Sequence, residues 1–356
     1  MIEIGMDQHK RFSAVAALNA QTGEVVERRL EHDDAESIVS FLRSFEGPVR
    51  VTLETTGNWY WLADLAEDAG AVVRLCHTVE AKRRRRGKAK NDRLDALGLA
   101  QLSAEDRVPE AYLPAREDRD RRERHRFRIR LVRLQTVLKN SIHALLSKLN
   151  IEGPFEDAFG KGGRAHLDAL ALREPYAGHL RSALRVLDAL HAEIAREQVA
   201  IRAELESNPA ARLLMSAPGI GELTAYLLLY EIGPIERFPG DKQFASYCCL
   251  APGTEQSADW HGRPGVGRAG NLYLKEAFTN AVLGAIRKDP AIRAFYNRQL
   301  RRNGAKKAKV AAAHKLAVAV YHMLRRRQAY RPAPAMKNQT SGKPVLRLGR
   351  PFETVA

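Results

Sequence analysis

Strand and helix signals alternate over residues 1–115, and this alternation constrains the fold more than any other feature of the sequence. The opening segment "MIEIGMD" alternates apolar and polar residues, which predicts a strand that ends near Asp7. "SAVAALNAQTGEVVERRLEH" predicts two more strands around a turn at Thr22-Gly23. A helix, a buried strand, a helix, a strand and a last helix are predicted to follow. A meander of three strands followed by βα units predicts a mixed sheet in an α/β domain.

Two long helices are predicted in residues 116–208. Apolar residues between Ile129 and Leu149 recur every three or four positions, so the first helix is amphipathic, and its first half is very basic. A Gly-rich break at residues 160–164 precedes the second helix, at about 176–206. The pair predicts an antiparallel helical hairpin or a coiled coil.

The remaining sequence predicts a mainly helical domain and a tail. "LLMSAPGIGELTAYLLLYEIG" predicts two apolar helices around a Pro-Gly-Ile-Gly turn, and "KKAKVAAAHKLAVAVYHMLRRR" predicts a basic last helix. Residues 331–356 are rich in polar and basic residues and predict a flexible basic tail. The predicted segments of the chain are therefore 1–115, 116–208, 209–330 and 331–356.

The chain is strongly basic, and its positive charge is concentrated. The 58 Lys and Arg residues against 42 Asp and Glu give a net charge of +16. The stretch "KRRRRGKAK", residues 82–90, carries seven cationic residues in nine. A protein this basic usually binds a polyanion, most often nucleic acid, and a solvated loop is the alternative for the stretch itself. The residues expected to contact nucleic acid here are Arg83, Arg84, Arg85, Arg86, Lys88 and Lys90.

Cysteine usage and hydropathy argue against two further classes of protein. The three cysteines, Cys76, Cys248 and Cys249, match neither a disulfide framework nor the spacing of zinc ligands. The longest apolar stretch, "LTAYLLLYEIG", is far shorter than the ~20 residues that cross a bilayer. We therefore expect a cytoplasmic protein that associates with the nucleoid and has no membrane partner.

Four carboxylates occupy positions where such a sheet would gather them. Asp7 closes the first strand and Glu54 closes the strand at 49–53, so both lie at one sheet edge if those strands are neighbours. Asp92 and Asp95 are three residues apart on a predicted helix and share a face. Four oxygen ligands suit two Mg²⁺ ions, which can activate an attacking oxygen and stabilise a leaving one in phosphodiester cleavage. A solvated acidic edge facing the arginines is the alternative.

Three motifs, "GMDQHK", "LETTG" and "KNDRLDA", occur in this order and resemble those of the RuvC-like domain of DEDD insertion-sequence transposases, of the insertion sequence one-ten type. The second half of the chain is similar to the transposase domain of the same family, and the resemblance covers residues 1–330. It implies an RNase H-like (RuvC-like) mixed-sheet domain, a long helical or coiled-coil insert, and a mainly helical C-terminal domain with a helix-hairpin-helix.

The resemblance also implies a chemistry. Asp7, Glu54, Asp92 and Asp95 match the DEDD metal ligands of the family, and Ser257, in "EQSADW", matches its nucleophilic serine. An RNA-guided recombinase that uses Mg²⁺ and forms a covalent 5′-phosphoserine intermediate is implied. Its implied partners are a structured noncoding guide (bridge) RNA, donor and target double-stranded DNA, and further copies of the chain in a dimer or tetramer.

Further nucleic-acid contacts are expected in the second half. In the turn "APGIGEL", backbone N–H groups at Gly219 and Gly221 can hold a phosphate where a helix begins, and a tight turn in a core is the alternative. His261 is a candidate helper of Ser257, with an ordinary loop residue as the alternative. The residues after the serine that we expect to contact the DNA or RNA backbone are Arg263, Arg268, Asn271 and Lys275.

Two other functions stay open on the sequence alone. A metal-dependent, structure-selective nuclease of the Holliday-junction resolvase kind would need the four carboxylates but not Ser257. A non-catalytic protein that binds RNA or DNA would need neither. The chain departs from the family pattern at Met6, Gln8 and Ala258, which leaves the first acidic ligand and the serine hydroxyl themselves in place.

Overall fold

The computed structural model describes residues 1–55, 59–84, 91–251 and 270–332, together with the backbone of two short strands at 256–257 and 260–261. Contacts divide the chain into two compact units, Met1–Arg121 and Arg122–Ala356. The finer division into four segments stays a prediction, and its tail lies outside the described residues. In the part of the chain that is described, no helix is long and apolar enough to cross a membrane.

The first unit alternates strands and helices. Its elements are β1 (Ile2–Gln8), β2 (Phe12–Asn19), β3 (Val25–Glu31), α1 (Ala35–Arg43), β4 (Val49–Glu54), α2 (Trp59–Asp68), β5 (Val72–Cys76), α3 (Thr78–Arg84), α4 (Asp92–Ala104), β6 (Glu110–Ala111) and the start of α5 (Arg116–Lys148). The six strands form one sheet in the order β3-β2-β1-β4-β5-β6. Strand β1 is antiparallel to β2 and parallel to β4, which is itself parallel to β5. The predicted mixed sheet of an α/β domain is therefore confirmed.

Helix α4 packs directly against β1 because β1 contains a glycine at the point of contact. A Cβ atom added to Gly5 would lie 2.0 Å from the backbone oxygen of Ala96 and 2.6 Å from the nitrogen of Ala100. Ala96, Leu99 and Ala100 of this helix are fully buried. This close approach fixes the N-terminal turn of α4, which carries Asp92 and Asp95, relative to the end of β1.

Two elements of the first unit are absent from the sequence prediction. Helix α3 has only seven residues and runs into the basic stretch, whose charge obscures its single buried position, Ala81. Strand β6 has two residues and exists through its antiparallel pairing with β5, Leu75 opposite Ala111 and Cys76 opposite Glu110. Pairing between residues this far apart in the chain leaves no local pattern to detect.

The second unit is mainly helical. Its elements are the rest of α5, α6 (Lys161–Ala169), α7 (Tyr176–Leu205), α8 (Pro209–Met215), α9 (Glu222–Ile232), a 3-10 helix (Ile235–Arg237), α10 (Asp241–Tyr247), β7 (Gln256–Ser257), β8 (Trp260–His261), α11 (Leu272–Lys288) and α12 (Pro290–Arg326). Helix α12 contains a break at Gly304, which has a φ of 76°. The predicted basic last helix lies after this break.

Helices α5 and α7 pack against each other with opposite directions. Arg124, early in α5, pairs with Glu204, late in α7, whereas Ile142 shares a buried cluster with Leu184. The predicted antiparallel hairpin is therefore present. The predicted Gly-rich break at 160–164 is wrong, because α6 begins at Lys161. Gly163 permits this helix to pack closely, since a Cβ there would lie 2.3 Å from the oxygen of Asp157.

Candidate metal centre

Parallel strands β1 and β4 bring two of the predicted ligands to one edge of the sheet. The register pairs Met6 with Leu53, so the next residues, Asp7 and Glu54, are neighbours at the carboxyl ends of these strands. Glu54 is only 6% exposed, although its side chain ends in a carboxyl group. A carboxylate buried at the end of a sheet needs a cationic or hydrogen-bonding partner to remain ionised.

Helix α4 supplies the other two carboxylates from its first turn. Asn91 is the N-cap, and its side chain accepts a hydrogen bond from the backbone N–H of Arg93 at 3.1 Å. Asp92 and Asp95 follow in the first turn, where carboxylates favour the positive end of the helix dipole. The cap therefore fixes where the helix starts and so where both carboxylates stand.

The electrostatics of Asp7 show that the other three carboxylates act on it. Burial raises the pKa of Asp7 above its ordinary value, and the nearby carboxylates of Asp95, Glu54 and Asp92 raise it further, whereas His9 lowers it. Like charges this close disfavour ionisation of the group at their centre. A divalent cation would reverse that effect, because it favours the ionised form of every carboxylate around it.

His9 lies between two of the carboxylates. Its Nε2 atom is 3.3 Å from Oδ2 of Asp7 and 3.1 Å from Oδ2 of Asp92, without the alignment of a hydrogen bond. Ligand atoms of these three residues lie within 4.8 Å of one another. Two carboxylate oxygens and an imidazole nitrogen at this spacing are a donor set that fits one divalent cation. Glu54 and Asp95 are outside that group of three and act on Asp7 through their charge.

The sequence prediction did not include His9. The prediction was limited to oxygen ligands, which Mg²⁺ prefers over nitrogen. The motif "GMDQHK" did carry a signal, because the histidine comes two residues after the aspartate. Residues two apart in a strand lie on the same face of the sheet.

The basic stretch is described only at its beginning. Arg83 donates to Glu80 at 2.7 Å, and Arg84 donates to the carbonyl oxygen of Arg107 at 2.8 Å. Both side chains are exposed. Four further predicted contacts lie outside the described residues, namely Arg85, Arg86, Lys88 and Lys90.

Ser257 lies in a small hairpin. Strands β7 and β8 are antiparallel, with Ser257 opposite Trp260 and Gln256 opposite His261. The side chains of these residues, and the predicted contacts Arg263 and Arg268, lie outside the described part of the chain.

Ser257 lies in the segment between Tyr247 and Asn271, and these two residues are hydrogen-bonded to each other. The backbone N–H of Asn271 donates to the carbonyl oxygen of Tyr247 at 2.7 Å. The Asn271 side chain caps α11 by accepting from the N–H groups of Tyr273 and Leu274, and it donates to Glu231 at 2.7 Å. Its structural role is therefore evident, and a contact with nucleic acid stays a prediction.

The other residues of the second unit that were predicted to contact nucleic acid, Gly219, Gly221 and Lys275, differ in how closely they are packed. Gly219 has a φ of 83°, and a Cβ there would lie 2.0 Å from the oxygen of Ala281, so packing against α11 already requires glycine. Gly221 is the N-cap of α9 and has open space around it. Burial raises the pKa of the Cys249 thiol, and the nearby half-buried Lys275 partly opposes this rise. For these three residues, nucleic-acid binding stays a prediction.

Comparison with known proteins places this acidic centre in a class. A family model described as "Transposase IS116/IS110/IS902 family" matches residues 211–297. A second model, for the DEDD transposase of the IS110 type, matches residues 4–151 and so includes all four carboxylates. The chain is therefore an enzyme of the transposase class that acts on DNA, and the family implies the use of a divalent metal. Within that class it belongs to the IS110-type DEDD transposases.

Curated relatives agree with the two family models. A "Probable family 20 transposase" of Pseudomonas aeruginosa is 28% identical over 346 residues, which is 92% of this chain and 98% of the relative. The "Transposase for insertion sequence element IS1111A" of Coxiella burnetii is 25% identical and covers 68% of each chain. The "Pilin gene-inverting protein" of Moraxella bovis is 34% identical over 128 residues, 35% of this chain and 40% of the relative.

Proposed function

We propose that this protein is an RNA-guided DNA recombinase of a bacterial insertion sequence, with Mg²⁺ at its acidic centre and Ser257 as its nucleophile. The observation that carries the proposal is the cluster of Asp7, His9 and Asp92 at the end of β1, within a chain of the IS110 type. The acidic cluster supports metal-dependent cleavage of a phosphodiester. The role of the serine is inferred from the family.

Asp7, Glu54, Asp92 and Asp95 would hold the metal. Bound Mg²⁺ supplies positive charge that activates the attacking oxygen and stabilises the leaving one. The protein's own contribution is to hold the half-buried Asp7 and the buried Glu54 at the sheet edge and to set Asp92 and Asp95 on the capped turn of α4. The carboxylates are in this way fixed before any DNA binds.

Ser257 would cut the strand by transesterification. Its Oγ attacks the phosphorus, the bond from phosphorus to the 3′ oxygen breaks, and the serine proton reaches that leaving oxygen through solvent. The products are a 5′-phosphoserine and a free 3′-hydroxyl. Rejoining reverses these steps with a different 3′-hydroxyl, so the energy of the phosphodiester bond is kept and ATP is not needed.

The proposed partners are donor and target DNA, a structured noncoding guide RNA and further copies of the chain. A relative named for inverting a pilin gene supports recombination of DNA as the outcome. The carboxylates and Ser257 belong to different compact units, so we propose that a dimer or tetramer completes each site from two chains.

An adduct assay tests the proposal. Wild-type protein is incubated with end-labelled donor DNA, guide RNA and Mg²⁺, and the products are separated under denaturing conditions. We expect a labelled protein–DNA adduct that is absent in Ser257→Ala and absent when EDTA replaces Mg²⁺. Ser246→Ala is the matched control and should form the adduct normally. Absence of any adduct with the wild-type protein, despite strand cleavage, would contradict the proposed intermediate.

A metal-dependent nuclease is the second candidate, because the acidic cluster alone provides for hydrolysis of a phosphodiester. It predicts that Ser257→Ala still cleaves DNA in Mg²⁺ and releases both ends free of protein. The same gel therefore separates the two functions.

A further inference from the structure

The arginines in the second-unit part of α5 are nearly all paired with carboxylates. Arg126, for example, donates to both oxygens of Glu231, at 2.7 and 2.9 Å. The pairs are Arg124 with Glu204, Arg126 with Glu231, Arg130 with Glu123, and Arg133 with Glu276. Such pairing offsets the cost of burying part of each guanidinium.

Arg128 differs from these neighbours. It is half-buried, and its Nε atom is buried without a hydrogen-bond partner among the described residues. The described carboxylates include none at ion-pair distance from it. Burial alone lowers the pKa of its guanidinium, with no carboxylate acting in the opposite direction. Partial burial of a cation without a counter-charge costs free energy, so this site favours the arrival of an anion.

Arg128 lines a cavity of about 280 Å³ between α5, α9 and α11. His125 lines the same cavity and is 5% exposed, and its Nδ1 has no partner in the described part of the chain. Burial and the charge of Arg128 lower the pKa of His125 to about 4, so the ring is neutral near pH 7. A neutral imidazole can still donate one N–H to an anion.

The start of α9 adds a third feature to the cavity. Leu223 and Thr224, in the first turn of this eleven-residue helix, line it. The N-cap, Gly221, has no side chain that could satisfy the free N–H groups of that turn. Free N–H groups and the helix dipole both favour a bound anion. The one acidic residue of the lining, Glu276, is occupied by Arg133.

We propose that this cavity binds one backbone phosphate of the nucleic acid, with Arg128 as the main contact and His125 and the first turn of α9 as the others. The proposal deepens the proposed function and rests on it, because the phosphate belongs to the DNA or RNA that the recombinase handles. The net charge of +16 favours a polyanion over a carboxylate from another protein. A cavity of about 280 Å³ has room for a phosphate group.

Binding measurements with Arg128→Gln test the inference. Arg130→Gln is the matched control, since it removes the same charge from an exposed side chain of the same helix. Fluorescence anisotropy is recorded with a labelled DNA duplex and, in a second arm, with a labelled RNA hairpin over a series of salt concentrations. We expect Arg128→Gln to weaken binding about tenfold. We also expect the salt slope on the duplex to fall by about 0.9.

The two titrations identify the source of the phosphate. It belongs to the nucleic acid, DNA duplex or RNA hairpin, whose affinity falls more in Arg128→Gln. Equal affinities of the two variants in both arms would overturn the inference and leave the proposed function standing. Failure of the wild-type protein to bind either probe would contradict both.

Thermal unfolding in inorganic phosphate supplies a second readout. We expect added phosphate to raise the Tm of the wild-type protein more than that of Arg128→Gln, because a ligand stabilises only the form that binds it. Without phosphate, Arg128→Gln should keep the wild-type Tm, whereas Arg126→Gln, which breaks the pair with Glu231, should lower it. A Tm loss in Arg128→Gln as large as that in Arg126→Gln would show a purely structural arginine and overturn the inference.

Discussion

At the scale of single residues, the acidic centre consists of carboxylates that the fold holds close together although their charges repel one another. Asp7 illustrates this, because three neighbouring carboxylates and its burial all raise its pKa. His9 acts in the opposite direction. Such an arrangement lowers stability in the absence of a cation, which is common where ligands are positioned in advance for a metal.

Replacing Asp92 with Asn tests the role of this set. The change removes one anionic ligand and keeps the side-chain size, so we expect strand cleavage in Mg²⁺ to fall on the order of a hundredfold or more. Binding of guide RNA, measured by filter retention, should stay within about twofold, because a neutral amide does not disturb the basic surfaces.

Asp33→Asn, at an exposed position between β3 and α1, is the control for this variant and should cleave normally. Equal losses of cleavage and RNA binding in Asp92→Asn would instead indicate a folding defect.

The acidic residues of the site follow from the sequence, but the histidine does not. Asp7 and Glu54 end strands, and Asp92 and Asp95 open a helix, and each of these positions has a local pattern. The proximity of His9 to Asp92 depends on how α4 lies across β1, which no local pattern specifies. The same limit applies to Arg128, since only the positions of α9 and α11 reveal that its Nε has no hydrogen-bond partner among the residues that the structure describes.

At the scale of elements, the contact of α4 with β1 decides the geometry of the centre. Strands β1 to β5 and helix α4 were predictable because each buries a regular pattern of apolar residues. Helix α3, strand β6 and helix α6 were not, since each is short or depends on distant contacts. For Gly5, the sequence predicts the position in β1 but not the contact with Ala96.

Replacing Gly5 with Ala should displace α4 from the sheet. The added Cβ meets backbone atoms of Ala96 and Ala100, which cannot rotate away, so we expect a loss of about 1–3 kcal/mol in unfolding free energy. Urea unfolding measures this loss, and cleavage activity should fall with it, because Asp92 and Asp95 move with the helix.

Gly153→Ala is the matched control for the Gly5 variant, since a Cβ there meets nothing closer than 3.6 Å. Unchanged stability of Gly5→Ala would show that α4 has room to shift without loss.

At the scale of the whole molecule, an acidic centre belongs to a chain that is strongly basic overall. The acidic centre lies at the end of β1 and β4, while the chain as a whole carries a net charge of +16. Each phosphate that a Lys or Arg neutralises releases counterions, so binding to nucleic acid depends steeply on salt. The basic stretch at residues 82–90, which begins in the last turn of α3, is the densest source of this charge in the sequence.

Replacing Arg83, Arg84, Arg85 and Arg86 together with Gln tests that stretch. We expect the slope of log K against log salt for a DNA duplex to decrease by up to about 3.6, or 0.9 for each arginine that contacts a phosphate. Titrations at several salt concentrations measure the slope. A slope equal to that of the wild-type protein would show that these arginines point away from the nucleic acid.

The hydrogen bond between Asn271 and Tyr247 has a consequence for how such enzymes diversify. Because the chain returns to the place where it left α10, the segment with the serine begins and ends at a single point of the helical body. Cys248 and Leu250 are buried in the helical core, so a longer, shorter or foreign segment would leave the surrounding helices where they are only if it is inserted after Leu250. Exchange of this segment between related enzymes is therefore a practical route to hybrids with new preferences.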